Sequence, residues 1–185
     1  MGRVDLFGVV HKGIRALLFE LSSAAARLDV TSSKDVDGLA ARIEHVLELL
    51  EEHARHEDAV IAPALPAEVA GMLAIDHGTL DELAAAVAEA SDALALAGLR
   101  ERAAAGGRLS RAIDRLVAAH LVHMIREETE ANAALWAACD DDALIAMQAR
   151  IHADIPPARM SEWLEIIAPA LNPMERRLVV EGRLE

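Results

Sequence analysis

The sequence predicts an all-α protein, an up-down-up-down four-helix bundle with additional short helices at its C-terminal end. Hydrophobic residues make up 54% of the chain and aromatic residues only 2%, and abundant alanine and leucine favour helices over strands. Apolar residues recur at helical spacing in four long segments that short loops separate. Helices joined by short loops pack as antiparallel neighbours, which favours a bundle.

Capping residues, prolines and glycines divide these segments. The first helix is predicted over about residues 4–28 and the second over about 36–62, with Ser32, Ser33 or Asp35 as its cap. The "PALP" stretch at 63–66 separates the second helix from a third over about 67–97. We expect the "GGR" stretch at 106–108 to break the chain again, before a fourth helix over about 109–138.

The last part of the chain, residues 139–185, is predicted to form three shorter helices. Pro157 and Pro173 suit the first turn of the second and third of them. Because this segment is too short for a core of its own, we expect a bundle over residues 1–138 and an extension over 139–185 that packs on it.

Charge and cysteine content exclude several classes of function. The formal net charge of −13 argues against a nucleic-acid partner, since phosphate binding needs a basic surface. Cys139 is the only cysteine, so no intramolecular disulfide is expected and a reducing cytoplasm is the natural setting. No apolar stretch reaches the length of a membrane span, and the first residues do not resemble a signal peptide. Arginine far outnumbers lysine, which is typical of a GC-rich bacterial genome.

The stretch "HARHEDAVIAP", residues 53–63, carries the first functional signal. On a helical wheel, Glu57 lies about 40° from His53, on the face that also carries Leu50 and Val60. Burying an imidazole beside a carboxylate is unfavourable unless something binds both side chains. The pair therefore indicates a ligand-binding site inside the bundle.

The fourth helix repeats this pattern. Glu127 lies about 40° from His123 on the wheel, on the same face as Leu116. The next carboxylate, Glu128, lies about 140° away and is predicted to point elsewhere.

The first and third helices each add one histidine to the same interior. His11 shares its face with Phe7 and Ile14, and His77 is followed one turn later by Asp81. His11 and His53 lie at similar distances along the chain from the loop between the first two helices. His53 and His77 likewise lie at similar distances from the loop between the second and third helices. We therefore expect all four to meet at one level of the bundle.

Four histidines, two glutamates and one aspartate offer up to seven ligands, which suits two metal ions, with the glutamates bridging both. Mixed imidazole and carboxylate ligands suit iron, manganese or zinc. Bundle cores are a recurrent place for such sites.

The order of these residues resembles that of the hemerythrin-like, or HHE cation-binding, domains. The matching stretches are His11, "HARHEDAVIAP", His77 in "IDHGTLDEL", and "HMIREE" at 123–128. The resemblance covers about residues 5–138, and the tail is similar to a C-terminal extension found in some bacterial members. It implies a four-helix bundle around a non-haem centre of two iron ions, with manganese or zinc as alternatives. By match, the metal ligands are His11, His53, Glu57, His77, His123 and Glu127.

Two departures from the oxygen-carrying members concern the third and fourth helices. Those proteins have a second histidine where this chain has Asp81, and their last ligand is an aspartate at the position of Glu128. Glu127 is favoured as the ligand here, and Asp81 stays open between a ligand and an exposed residue. His120 is interpreted as a residue that supports the ligands, with a ligand role left open. His56 is left open between a residue that supports the ligands, a residue at the rim of the site and a metal ligand.

The sequence leaves three functions open. The first is binding of O2 or a related small ligand in sensing, storage or the response to oxidative stress. The second is enzymatic turnover of peroxide or nitric oxide at the same centre. The third is a metal-dependent interaction or regulatory role, in which a partner recognises the C-terminal helices, and the chain is a monomer or a homodimer.

Overall fold

The computed structural model of the chain describes residues 3–180, with side chains described as far as residue 177. Helices and short loops account for this whole range, and it contains no strand. The predicted all-α class is therefore confirmed. None of the helices within residues 3–180 combines the length and the apolar character that crossing a membrane requires.

Four long helices are followed by four shorter ones along the described chain. The long helices are α1 (Gly8–Ala26), α2 (Ser33–His56), α3 (Ala67–Leu96) and α4 (Arg102–Arg126). The shorter helices are α5 (Asn132–Ala138), α6 (Asp141–Asp154), α7 (Pro157–Ala170) and α8 (Pro173–Val180). A π-helical segment (Glu57–Ile61) and a 3-10 turn (Ala62–Ala64) follow α2, and a second π-helical segment (Glu127–Ala131) joins α4 to α5.

Side-chain caps explain where several helices begin. The Ser32 hydroxyl accepts a hydrogen bond from the backbone N–H of Asp35, at 3.2 Å, so Ser32 caps α2 among the three candidates. Asp140 caps α6 in the same way by accepting from the N–H of Ala143. Pro157 and Pro173 stand at the first residue of α7 and α8, as predicted.

The predicted break at "GGR" is wrong. The connection between α3 and α4 lies at residues 97–101, and Gly106 and Gly107 both lie inside α4. A Cβ atom at Gly106 would stand 2.7 Å from Cγ1 of Val30, so the glycine permits close approach of the loop after α1. Glycine here serves the packing of this loop against α4, and the fourth helix starts earlier than the sequence pattern indicates.

The chain divides into two compact units, and each of α1–α4 contributes residues to both. The first unit takes the chain up to Ala16, Arg55–Leu73, and the chain from Met124 onward. The second unit takes Leu17–Ala54 and Ala74–His123, and its fully buried side chains are aliphatic, among them Leu18, Leu21, Ile43, Leu49, Leu94, Leu109 and Ile113.

The core of the first unit includes residues of α5 and α6. One hydrophobic cluster joins the start of the chain, both π-helical segments and α6: Phe7, Ile61, Leu65, Leu73, Ala131, Leu135 and Leu144. A Cβ atom at Gly13 of α1 would lie 2.9 Å from Ile167 of α7, and Lys12 of α1 pairs with Glu175 of α8. The division into a bundle over 1–138 and an extension over 139–185 stays a prediction, and residues 181–185 lie outside the described part of the chain.

Candidate metal centre

Both His-x-x-x-Glu motifs lead into a π-helical segment that begins at the glutamate. His53 lies in α2 and Glu57 starts the first π segment, while His123 lies in α4 and Glu127 starts the second. The chain is α-helical up to each glutamate, so the four-residue spacing still places His and Glu on one face. Segments of π-helix are rare in proteins, and those that occur are frequently found at functional sites. The sequence has no residue in either segment that signals them.

His11 lies fully buried against three carboxylates. Its Nε2 atom is 3.3 Å from Oε2 of Glu127 and 3.8 Å from Oε1 of Glu57. Its Nδ1 atom is 2.9 Å from Oε1 of Glu128. Burial lowers the pKa of His11, but the hydrogen bonds and charges of these carboxylates outweigh it and raise that pKa well above its usual value.

Glu128 is held in turn by Arg15 of α1. The guanidinium donates through Nη1 to Oε1 at 2.7 Å and through Nη2 to Oε2 at 2.9 Å. Partial burial raises the pKa of Glu128, yet His11 and Arg15 outweigh it and lower that pKa to about 2. The sequence gives no indication that Glu128 contacts His11, because that contact is made by a residue of another helix.

His77 and His123 form a second pair of neighbouring side chains with nitrogen atoms close together. Their Nε2 atoms lie 3.1 Å apart and their ring planes cross at 67°, and both side chains are buried. On the opposite edge of His123, Nδ1 lies 3.6 Å from Oδ2 of Asp76. Asp76 was not among the predicted residues, although it directly precedes His77.

Histidine nitrogens and carboxylate oxygens that could bind a metal ion form two groups. Within each group, these atoms all lie within 4.8 Å of one another. The first group is His11, His53, Glu57 and Glu127, and the second is Glu57, His77, His123 and Glu127. Glu57 and Glu127 belong to both groups. Of the six residues, His53 is half-buried and the others are buried.

A known family matches more than half of the chain. Residues 3–130 match the family described as the hemerythrin HHE cation-binding domain. The chain belongs to this family. No curated protein and no solved structure gave a match to the chain. All six residues of the two groups lie inside the matched range, and the helical structure together with the match confirms the predicted hemerythrin-like helical bundle.

The donor set of this hemerythrin-like chain fits metal ions. Each group offers two imidazole nitrogens and two carboxylates, the combination that suits iron, manganese or zinc. Donors that bind one ion at ~2.1 Å lie at most ~4.2 Å apart, close to the spread of each group. Family and clusters together support a metal-binding protein.

The other predicted site residues are Asp81, His56 and His120. Within the described part of the chain, none of them belongs to either group. Asp81 is exposed. His56 is buried, with its Nε2 atom 3.4 Å from Oδ2 of Asp154 in α6. His120 is buried one turn before His123 in α4.

Proposed function

We propose that this hemerythrin-like protein holds two iron ions and binds O2 or a related small ligand, such as peroxide or nitric oxide, at them. One observation carries the proposal: the two ligand groups share Glu57 and Glu127. A carboxylate has two oxygens and can bind two ions, so a pair of shared carboxylates suits a pair of ions. Manganese and zinc are the alternatives to iron for the same donors.

Each residue has a distinct role in this proposal. His11 and His53 bind one ion, His77 and His123 bind the other, and the two glutamates bind both. Bound iron supplies a change of oxidation state and an open coordination position for the small ligand. The protein supplies the geometry of the ligands and excludes water, since the side chains of His11 and Glu127 are completely buried.

The surroundings of the site favour ligand binding in sensing, storage or the response to oxidative stress over reversible oxygen carriage. Asp81 stands where the resemblance places a further histidine in oxygen carriers, and its side chain is exposed. The site therefore has fewer imidazole ligands than those carriers. With a single cysteine in the chain, we keep the cytoplasm as the proposed setting.

The test combines two measurements. One is the metal content per chain, and the other is the visible spectrum before reduction, after reduction and after exposure to air. We expect two iron ions per chain and a spectrum that changes on reduction and on exposure. Continuous consumption of added peroxide or nitric oxide would instead identify an enzyme. Absence of bound metal after anaerobic iron loading would refute the proposal, because the buried histidines and glutamates would then be structural.

A further inference from the structure

Glu128 lies outside both ligand groups, yet its carboxylate contacts one of their members. Oε1 of Glu128 is 2.9 Å from Nδ1 of His11 and 2.7 Å from Nη1 of Arg15. Oε2 completes a two-pronged ion pair with Nη2 of Arg15, at 2.9 Å. The imidazole, the carboxylate and the guanidinium therefore form one connected chain of hydrogen bonds.

The two nitrogens of His11 face different groups. Nδ1 faces Glu128, while Nε2 faces Glu127 at 3.3 Å and Glu57 at 3.8 Å. A neutral imidazole carries its proton on one nitrogen and a lone pair on the other, and the hydrogen bond of one nitrogen decides which. With the proton on Nδ1 donated to Glu128, the lone pair on Nε2 points toward the shared carboxylates.

Local helical geometry brings these three side chains together. Arg15 follows His11 by one turn in α1, so both lie on the same face of that helix. Glu127 and Glu128 are consecutive in the second π-helical segment, and they contact opposite nitrogens of the same imidazole. Glu127 belongs to the ligand groups, whereas Glu128 contacts the other nitrogen of His11.

We infer that Glu128, held by Arg15, is a positioning residue for His11 in the metal centre. This inference rests on the proposed function. Glu128 fixes the tautomer and the ring orientation of His11 and makes Nε2 a stronger donor to the ion. A carboxylate behind a histidine ligand does this generally, and its loss weakens metal binding about 10–100-fold.

The test measures metal affinity of the full-length protein by competition with a chelator, using Zn(II) and Fe(II) separately. We expect Glu128→Ala to weaken affinity about 10–100-fold. Glu130→Ala is the matched control, since Glu130 is an exposed glutamate of the same π-helical segment and its loss changes the net charge equally. An affinity of Glu128→Ala equal to that of the control would overturn the inference.

A second variant separates positioning from folding. Glu128→Gln keeps an oxygen that can accept from Nδ1 of His11, so we expect it to retain part of the affinity that Glu128→Ala loses. Unfolding curves of the metal-free variants show whether each one folds. If the alanine variant does not fold, the metal affinity of the glutamine variant is compared with that of the wild type. Equal affinity of the glutamine variant and the wild type, with the alanine variant unfolded, would also overturn the inference.

A double substitution tests whether Glu128 acts through His11. In a His11→Ala background, the second substitution Glu128→Ala should cause no further loss of affinity, because the residue that it positions is absent. The same loss in both backgrounds would show that Glu128 acts by another route and overturn the inference. Wild-type protein that binds no metal refutes the proposed function itself, whereas normal binding by the wild type and by Glu128→Ala refutes only the positioning role.

Discussion

Sharing of Glu57 between both ligand groups leads to a prediction about the number of bound ions. Glu57→Gln removes a ligand from both groups, so we expect both ions to be lost. His53→Ala removes a ligand from the first group only, and His77→Ala from the second only. Each of these two variants should therefore keep one ion.

The size of the effect follows from the number of ligands. Binding of a metal by four ligands contributes roughly 10–16 kcal/mol, which is about 2.5–4 kcal/mol per ligand. At 1.4 kcal/mol per tenfold change, loss of one ligand weakens binding by a factor of about 10²–10³. Glu57 is 4% exposed, and glutamine has nearly the same shape, so the substitution preserves the packing around it.

The assay is metal per chain after dialysis against a chelator whose concentration leaves the wild type loaded. Asp81→Asn is the control, because Asp81 is exposed and belongs to neither group of ligand atoms; it should bind as the wild type does. One ion retained by Glu57→Gln, or both ions lost from each histidine variant, would refute the sharing of Glu57. Loss of metal from Asp81→Asn would instead identify Asp81 as a ligand.

Three further predictions concern pH, helix packing and the C-terminal helices. The pKa of His11 is raised in the metal-free protein, so metal uptake at neutral pH should release a proton, and metal binding should weaken as the pH falls. Calorimetry in buffers of different ionisation enthalpy measures the number of protons released. Metal uptake without proton release would contradict the prediction. Gly106→Ala should be less stable than Gly107→Ala by about 1–3 kcal/mol in denaturant unfolding, because only the former approaches Val30 closely; equal stability would contradict this packing. Leu144→Ala should lower the free energy of unfolding by about 2–5 kcal/mol in a single transition, whereas a separate transition would show that the extension folds independently.

Residues related by helical spacing were the most predictable part of the site. His53 and Glu57, like His123 and Glu127, lie four positions apart within one turn of a helix, so spacing alone brings each pair to one face. Their burial follows from the apolar residues on the same face. The fold class depends on the same periodicity, which explains why both were predictable together.

Features that depend on neighbouring helices were not predictable in this way. Gly106 and Gly107 have the composition of a helix end, but contact with Val30 gives Gly106 a packing role inside α4. Asp76 of α3 lies 3.6 Å from Nδ1 of His123, a contact that depends on how one helix faces another. A wheel drawn for a single helix contains no information about that angle.

The two metal-binding motifs show this limit within a single pattern. Both read His-x-x-x-Glu followed by a second acidic residue, Asp58 in one motif and Glu128 in the other, and both second acids lie in a π-helical segment. Asp58 is exposed, whereas Glu128 is half-buried against His11 and Arg15. The difference arises from α1, which presents a histidine and an arginine one turn apart to Glu128. Equivalent acidic residues in the two motifs therefore lie in different surroundings, and the surroundings of Glu128 are decided by the helix that it contacts.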